Sequence, residues 1–447
     1  MTAEGAPLVS LRVAMLSVHT SPLHQPGTGD AGGMNVYMVE LSRALAEQGA
    51  RVDLFTRCRG EGHPPRVEIV PGVQVRHLHA GPCRALPKEA MPGLVLEFAL
   101  ALLKAGAGNP YDLVHSHYWL SGQAGSLAAG QWQVPLVHTM HTMARVKNAS
   151  LAPGDKPEPE LRVHAESGLV ATADRLIANT PEEAIALQNL YGAAPHRTDV
   201  VTPGVDTRTF HPADGRRAAR ARLGLPQEAF VPLFAGRIQP LKGPDVLVRA
   251  VAELLREAPD LRRRLLVPVV GGLSGSGTRV PGELRELCGR LGLLDVVRFE
   301  RAVPQRELAE WYRAADVLVV PSRSESFGLV ALEAQACGTP VLAAAVGGLP
   351  TAVRDGESGL LVGGHEPGEY ARRLLWFARH TAAAEAMGVA AERHAQGMNW
   401  CAAARRTLQV YERALENRGA RMGQRRRHAP APAAAPSWRN GRAAVPA

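Results

Sequence analysis

Two cations and two carboxylates in the second half of the chain have the types and spacing to hold a nucleotide-linked leaving group. Arg237 and Lys242 stand five residues apart in Gly236-Arg237-Ile238-Gln239-Pro240-Leu241-Lys242-Gly243, a glycine-bounded loop that follows an apolar run. A planar guanidinium and a compact ammonium at that spacing can flank one diphosphate. Further on, Ser322-Arg323-Ser324-Glu325-Ser326-Phe327-Gly328-Leu329-Val330 leaves another apolar run and enters a helix carrying Glu333, with seven residues between the two glutamates. Glu333 suits a bidentate grip on a ribose diol, and Glu325 suits sugar hydroxyls or a developing positive centre. The N–H groups of Gly328, Leu329 and Val330 open the helix and favour a phosphate there.

The first half carries a matching device. Gly29-Asp30-Ala31-Gly32-Gly33-Met34-Asn35 sits between a predicted strand and a predicted helix, so its main chain can turn sharply and offer N–H groups to an anion. Only five lysines (Lys88, Lys104, Lys147, Lys156, Lys242) occur among 51 basic residues, which marks a retained lysine such as Lys242 for attention. Lys104 and Lys156 read as solvated surface cations.

These loops need a scaffold, and 447 residues at 46% apolar and 21% charged fit two soluble α/β domains. Short apolar runs alternate with amphipathic stretches, the pattern of parallel βαβ units. Strands are predicted at Arg12–Ser17, Val52–Phe55, Val75–Leu78, Leu113–His115, Leu136–His138, Arg175–Ala178 and Asp199–Thr202. A second series follows at Pro232–Ala235, Leu265–Val270, Val297–Phe299, Val317–Val320, Val341–Ala343 and Gly359–Val362. Thr202-Pro203-Gly204-Val205-Asp206 and Phe210-His211-Pro212 interrupt the alternation and place the hinge. The expected units are a flexible N-terminus (1–10), domains over 11–205 and 206–398, a last helix over 399–417 and a disordered tail over 418–447.

The formal charge of +9 includes seven arginines (418, 421, 425, 426, 427, 439 and 442) in that terminal stretch, which has no Asp or Glu and leaves the body at about +2. Such a distribution argues against nucleic acid as the partner of the folded domains. The longest apolar run, Leu94 to Leu103, is broken by Glu97 and is too short for a bilayer span, and the N-terminus has no signal-peptide pattern. A cytoplasmic protein without a stable membrane anchor is expected. The five cysteines (58, 83, 288, 337 and 401) show no CxxC and no metal spacing, so reduced, mostly buried thiols without a disulfide are expected.

The Glu-x7-Glu pair, the Gly-Arg-Ile-x-Pro-x-Lys-Gly loop and the two halves resemble retaining, nucleotide-sugar-dependent glycosyltransferases of the GT-B fold, over about residues 10–416. Ser17-Val18-His19-Thr20-Ser21-Pro22, Gln25-Pro26-Gly27, Gly29 to Tyr37 and His141-Thr142-Met143 narrow the resemblance to the D-inositol 3-phosphate glycosyltransferases of mycothiol biosynthesis. It implies two Rossmann-like domains facing across a cleft, with the last helix crossing back. The implied reaction moves N-acetylglucosamine from UDP-N-acetylglucosamine to 1D-myo-inositol 3-phosphate with retention, releasing UDP, in a homodimer.

Carried onto this sequence, the resemblance places His19, Asp30, Ala31, Gly32, Gly33, Met34, Asn35, Lys88, Tyr118, Thr142 and Arg162 around the acceptor. It places Gln25, Pro26, Gly33, Arg237, Lys242, Val303, Glu325 and Glu333 around the donor, with Arg237, Lys242, Glu325 and His141 at the reacting centre. Read singly, Tyr118 and Thr142 fit packing or turns as well, and a histidine near a strand end is commonly a satisfied structural group. The resemblance further implies Mg²⁺ on main-chain oxygens of Tyr312, Arg313 and Ala315 and on Thr339. The residues themselves show a helix end before a strand, without the acidic cluster that hard cations favour.

Two rivals share the fold: a sucrose-phosphate synthase-like transferase, and a nucleotide-sugar sensor without catalysis. Lys88, Thr142 and Arg162 together favour a phosphorylated polyol over the first. A sensor has little use for the acceptor cluster, and the Gly29–Asn35 loop likewise disfavours an epimerase.

Overall fold

The computed structural model of the protein describes residues 11–60, 64–108, 110–151, 156–272 and 280–427. Its first sheet holds eight strands: β1 (Arg12–Ser17), β2 (Arg51–Arg57), β3 (Arg66–Val70), β4 (Val73–Leu78), β5 (Leu113–His117), β6 (Leu136–Thr139), β7 (Arg175–Ala178) and β8 (Thr198–Val200). They lie in the order β3-β4-β2-β1-β5-β6-β7-β8. The second holds β9 (Pro232–Ala235), β10 (Val267–Val270), β11 (Val297–Glu300), β12 (Val317–Val320), β13 (Val341–Ala344) and β14 (Gly359–Val362), ordered β11-β10-β9-β12-β13-β14. Every pairing is parallel except β3 with β4.

Parallel strands are covered by helices on both faces, and β1 shows how one run serves two cores. Val13 and Met15 join Tyr37, Trp400 and Tyr411 on one face, whereas Ala14 and Leu16 join Phe55, Phe98 and Leu120 on the other. Strand order reverses between β1 and β5 in the first sheet and between β9 and β12 in the second. In open α/β sheets, ligands bind at such reversals, beyond the carboxyl ends of the strands. The Ser17-to-Asn35 and Gly236-to-Gly243 loops leave from these points.

Three expectations are corrected. β3 was not anticipated: Arg66–Val70 is an edge strand, and its exposed alternate side chains lack the continuous apolar run of a central parallel strand. The last helix is Trp400–Arg427, ten residues beyond Asn417, because an arginine-rich stretch without proline up to that point still favours helix. Its Arg413 and Arg418 pair with Asp199 (2.7 Å) and Asp174 (3.6 Å) of the first domain. The rest of the predicted tail, 428–447, and the predicted flexible N-terminus, 1–10, lie outside the described residues. Finally, Cys58 and Cys83 form a disulfide, Cys288 and Cys337 are buried free thiols, and Cys401 is exposed. The pairing joins chain segments 25 residues apart, and only the side-by-side placement of β2 and β4 brings them together.

The chain crosses between domains twice at one point. Val205 N–H donates to the Met398 carbonyl (3.0 Å), and a Cβ on Gly204 would lie 2.2 Å from the Trp400 nitrogen. Backbone meets backbone there, so no side chain can yield. Gly204→Ala is expected to lower unfolding stability by roughly 2 kcal/mol or more, read as a reduced urea midpoint at unchanged slope.

Candidate functional site

The two sheet edges face one another across a cleft whose space, including the part open to solvent, is about 980 Å³. Gln25, Pro26, Gly33, Arg237, Lys242, Val303, Glu325 and Glu333 all line it, which brings together every residue expected at a donor. Val36, Gly271, Ala302, Gln305 and Leu308 were not singled out beforehand, although they line the same space. The domains touch along this seam. Gln25 Nε2 donates to the Val303 carbonyl (2.7 Å), Gly272 N–H to the Gly27 carbonyl (3.1 Å), and the Ser326 hydroxyl to the His141 carbonyl.

Arg237 reaches the seam from the second domain. A Cβ on Gly32 would sit 3.5 Å from its Nε, an ordinary contact, so the guanidinium lies directly against the glycine loop of the first domain. Burial lowers the pKa of Arg237, while Asp30 and Glu325 act in the opposite direction. Lys242 Nζ lies 2.5 Å from Glu325 Oε2, so each partner is held in place over the cleft by an ion pair. Glu333 is 6% exposed and accepts a hydrogen bond from the Tyr312 hydroxyl (3.0 Å). Its burial pushes the carboxyl up to about 8.

On the first domain, Tyr118 caps the helix after β5 with φ at 71° and anchors a second constellation. His19 lies against its ring (centroids 4.4 Å apart), with Arg162 Cζ at 4.8 Å and Lys88 Nζ at 5.8 Å from the ring centre. Arg162 Nη2 donates to both the carbonyl and the hydroxyl of Thr142, each at 2.9 Å. The Tyr118 hydroxyl and His19 Nδ1 are buried without a hydrogen-bond partner. Burial, then Lys88, Arg162 and Arg59, lowers His19 to about 3, so its ring is neutral near pH 7.

Four carrier residues of this constellation escaped sequence reasoning. Glu158 lies 2.9 Å from Arg162, 3.8 Å from Lys88 and in contact with Lys147, while Glu166 holds Arg162 Nε at 2.7 Å and accepts from Tyr191. Burial opposes ionisation of Glu158, but Arg162, Lys88 and Lys147 outweigh it and hold the carboxyl down at about 2. The signal was present for one pair: Arg162 and Glu166 stand four apart on the helix Glu160–Thr172, which stacks opposite charges on one face, whereas Glu158 precedes that helix.

Other expected acceptor residues point elsewhere. Asn35 is 1% exposed, and its amide is committed to the Gly32 N–H (3.0 Å), Thr20 Oγ1 (3.0 Å) and the Ser21 carbonyl (2.6 Å), so it braces the loop. Met34 packs into both cores of the first domain, and Ala31 is buried in a turn closed by Gly27 and Thr28. Asp30 faces Arg237. His141 adopts φ of 58°, and its Nε2 lies 2.8 Å from His117 Nδ1. Burial drives its pKa down to about 3, which removes it as a proton donor near neutral pH.

The expected magnesium ligands cluster behind the cleft and none of them lines it. The Tyr312 carbonyl accepts from Thr339 Oγ1 (2.6 Å) and lies 3.2 Å from the Ala315 nitrogen, and the Arg313 guanidinium donates to the His211 and Thr209 carbonyls. A carbonyl already engaged by a hydroxyl, with no carboxylate in the set, fits Mg²⁺ poorly.

Comparison with known proteins follows this geometry. Residues 31–209 match the model "Glycosyltransferase Family 4", and residues 215–394 match "Glycosyl transferases group 1". A D-inositol 3-phosphate glycosyltransferase of Streptomyces scabiei (strain 87.22) is 61% identical over 409 residues, covering 91% of this chain and 92% of the relative. The chain belongs to the D-inositol 3-phosphate glycosyltransferase family. Its relative in Kribbella flavida (strain DSM 17836 / JCM 10339 / NBRC 14399) is 57% identical over 412 residues, covering 92% of this chain and 97% of that one. Among solved structures, a sucrose-phosphate synthase of Thermosynechococcus elongatus superposes with a TM-score of 0.83 at 32% identity, covering 91% of this family member and all of that chain. Anabaena HepE, solved with UDP and glucose, has a TM-score of 0.70 at 20% identity over 90% of this chain and 99% of its own, and shares the GT-B fold.

Ionisation of Glu333 sets a pH test. A ribose diol is held best by a carboxylate, so below about pH 8 donor binding must expel the proton that burial retains. If Glu333 grips the ribose, nucleotide-sugar affinity is expected to rise with pH from 6.5, by up to about tenfold per unit, and to level off near 8. Calorimetry across that range should show proton release, and in Glu333→Gln binding should be weaker and nearly independent of pH.

Proposed function

We propose that this chain transfers N-acetylglucosamine from UDP-N-acetylglucosamine to 1D-myo-inositol 3-phosphate, with retention at the anomeric carbon, and releases UDP. One observation carries the acceptor assignment. The Tyr118 hydroxyl and His19 Nδ1 are orphaned beside two cations that Glu158 holds, Lys88 and Arg162, at the strand reversal of the first sheet, where a phosphomonoester would complete the two orphaned atoms and add its charge to the cations' pairing. The relatives' names supply the inositol phosphate, and HepE, solved with UDP and glucose, supports a UDP-linked sugar in the facing cleft.

Catalysis in this reading is electrostatic. The bond from the anomeric carbon to the diphosphate breaks while the acceptor oxygen bonds to that carbon on the same face. The departing diphosphate oxygen takes the acceptor proton. Arg237, Lys242 and the N–H groups opening the helix Leu329–Ala336 stabilise the charge that grows on it. Lys242 exchanges its Glu325 partner for the diphosphate, which leaves Glu325 to accept from the sugar hydroxyls. His141, neutral and turned by its unusual φ, accepts from Ser326 of the facing domain through its carbonyl and so braces the seam beside the sugar. The contacts across the seam exclude water from the anomeric carbon.

A sensor reading has no use for a built acceptor site, and turnover separates the two: UDP and a glycosylated inositol phosphate must form together. We place any magnesium outside the reaction, so removing divalent ions with EDTA is expected to leave the transfer rate within about twofold, whereas a loss that magnesium restores would put the metal in the cleft.

Phosphate recognition is the sharpest test. Unphosphorylated myo-inositol offers no anion to the Tyr118 hydroxyl, His19 or the cations that Glu158 holds beside them, which should lower kcat/KM on the order of a thousandfold. Arg162→Ala should depress the rate with inositol 3-phosphate strongly, scarcely change the low rate with inositol, and leave donor affinity intact. Equal rates with the two acceptors would overturn the assignment and favour another transferase of this fold.

A further inference from the structure

Outside the cleft, the end of β2 carries a second set of ligand-bearing side chains. Arg57 pairs with Leu78 in the β2–β4 register, and Cys58 N–H donates to the Leu78 carbonyl (2.7 Å), so Cys58 and His79 follow side by side from adjacent strands. The chain then folds back through Gly81 and Pro82 to Cys83, whose Cα is 5.0 Å from that of Cys58. The two sulfurs and a ring nitrogen of His79 lie within 4.8 Å of one another. Among the described residues they form the single such group of three histidine, cysteine or carboxylate ligands. The Gly60 carbonyl faces both sulfurs, at 3.6 and 3.4 Å.

We propose that, when the Cys58–Cys83 disulfide is reduced, the two thiolates and the His79 imidazole bind one soft divalent cation of the zinc class. Two sulfurs and one nitrogen match the preference of zinc and reject magnesium or calcium, which require oxygen. Three protein ligands leave a fourth position for water, on the exposed side of His79.

The site survives reduction because its backbone is pinned independently of the sulfur bond. Arg57 is 1% exposed, and its two terminal nitrogens donate to the carbonyls of Pro82 (2.7 Å) and Arg84 (2.6 Å), on either side of Cys83. Gly81 N–H is held by Glu97 (2.7 Å). Opening the disulfide with a phosphine or thiol reductant adds two electrons and two protons to the sulfurs. Metal binding then displaces both thiol protons, and no other group is oxidised or reduced. Oxidised and metal-loaded states exclude each other, since a disulfide sulfur has no thiolate pair to give.

The test uses the full chain with Cys401→Ser in every sample, which removes the exposed free thiol. Protein reduced anaerobically with a phosphine and freed of reductant is titrated with ZnCl2 by calorimetry, and zinc is counted by elemental analysis after gel filtration. The same preparation left oxidised is the control, so the comparison needs no variant that might fail to fold. One zinc per reduced chain and none per oxidised chain is expected, with thiolate-to-cobalt absorption when Co²⁺ replaces zinc. His79→Ala should weaken binding by roughly tenfold or more, and Cys83→Ser should abolish the cobalt band. Zinc binding equal in the oxidised and reduced chains, or undiminished in the Cys58→Ser/Cys83→Ser chain, would overturn the proposal and leave a disulfide with no metal role. None of these readouts depends on glycosyl transfer.

Discussion

A guanidinium taken out of water has to be paired, and the acceptor half of this protein is arranged around that requirement at Arg162. Its side chain is 2% exposed and lies between Glu158 and Glu166, with the Thr142 carbonyl and hydroxyl on its remaining nitrogen. Losing one partner of such a buried set is costly, because the other charge is left without compensation. Glu158 also draws in Lys88 and Lys147, so an anion belonging to the protein keeps the cations assembled before any ligand arrives. Tyr118 and His19 then pack against the assembled charges, with polar atoms left over for a ligand.

The donor half solves the same problem with another geometry. Its ion pair, Lys242 with Glu325, is partly exposed and contained in the second domain, so it can open when a diphosphate enters. Arg237 is the piece that depends on both halves, since it comes from one domain and lies against the glycine loop of the other. That loop in turn is braced by the buried amide of Asn35. The sugar-transfer geometry thus depends on residues that touch no substrate. The last helix serves the same end from behind, crossing from the second domain to fill the first domain's core with Trp400, Val410 and Tyr411.

Much of the site could be read in the sequence because its signals are local. β1, β7, β9, β12 and β14 were bounded correctly to the residue, since parallel strands covered by helices are short apolar runs closed by turn residues. The Gly-Arg-Ile-x-Pro-x-Lys-Gly loop and the Glu-x7-Glu pair follow β9 and β12 directly, so placing the strands placed them. β3 was missed because an exposed edge has no such run. The helix beyond Asn417 was missed because its arginines read as a charged tail, although each is a good helix former.

What the sequence determined, then, was whatever a few neighbouring residues decide by themselves: strand and helix periodicity, glycine loops, and the charge types offered to a ligand. Tertiary structure decided the rest, because it depends on which separate segments meet. Asn35 looked like a ligand group and became a brace when Thr20 and Ser21 folded over it. Glu158, set between Pro157 and Pro159, was not singled out from the sequence and became the counter-ion of three cations. Cys58 and Cys83 showed no paired spacing along the chain, and it was the parallel placement of β2 beside β4 that brought them together. Of the expected magnesium oxygens, the Tyr312 carbonyl accepts from the hydroxyl of Thr339, which arrives from a different loop. In each case the chemical type of the side chain was fixed locally, and its role was fixed by a partner distant in sequence, whose arrival no local pattern encodes.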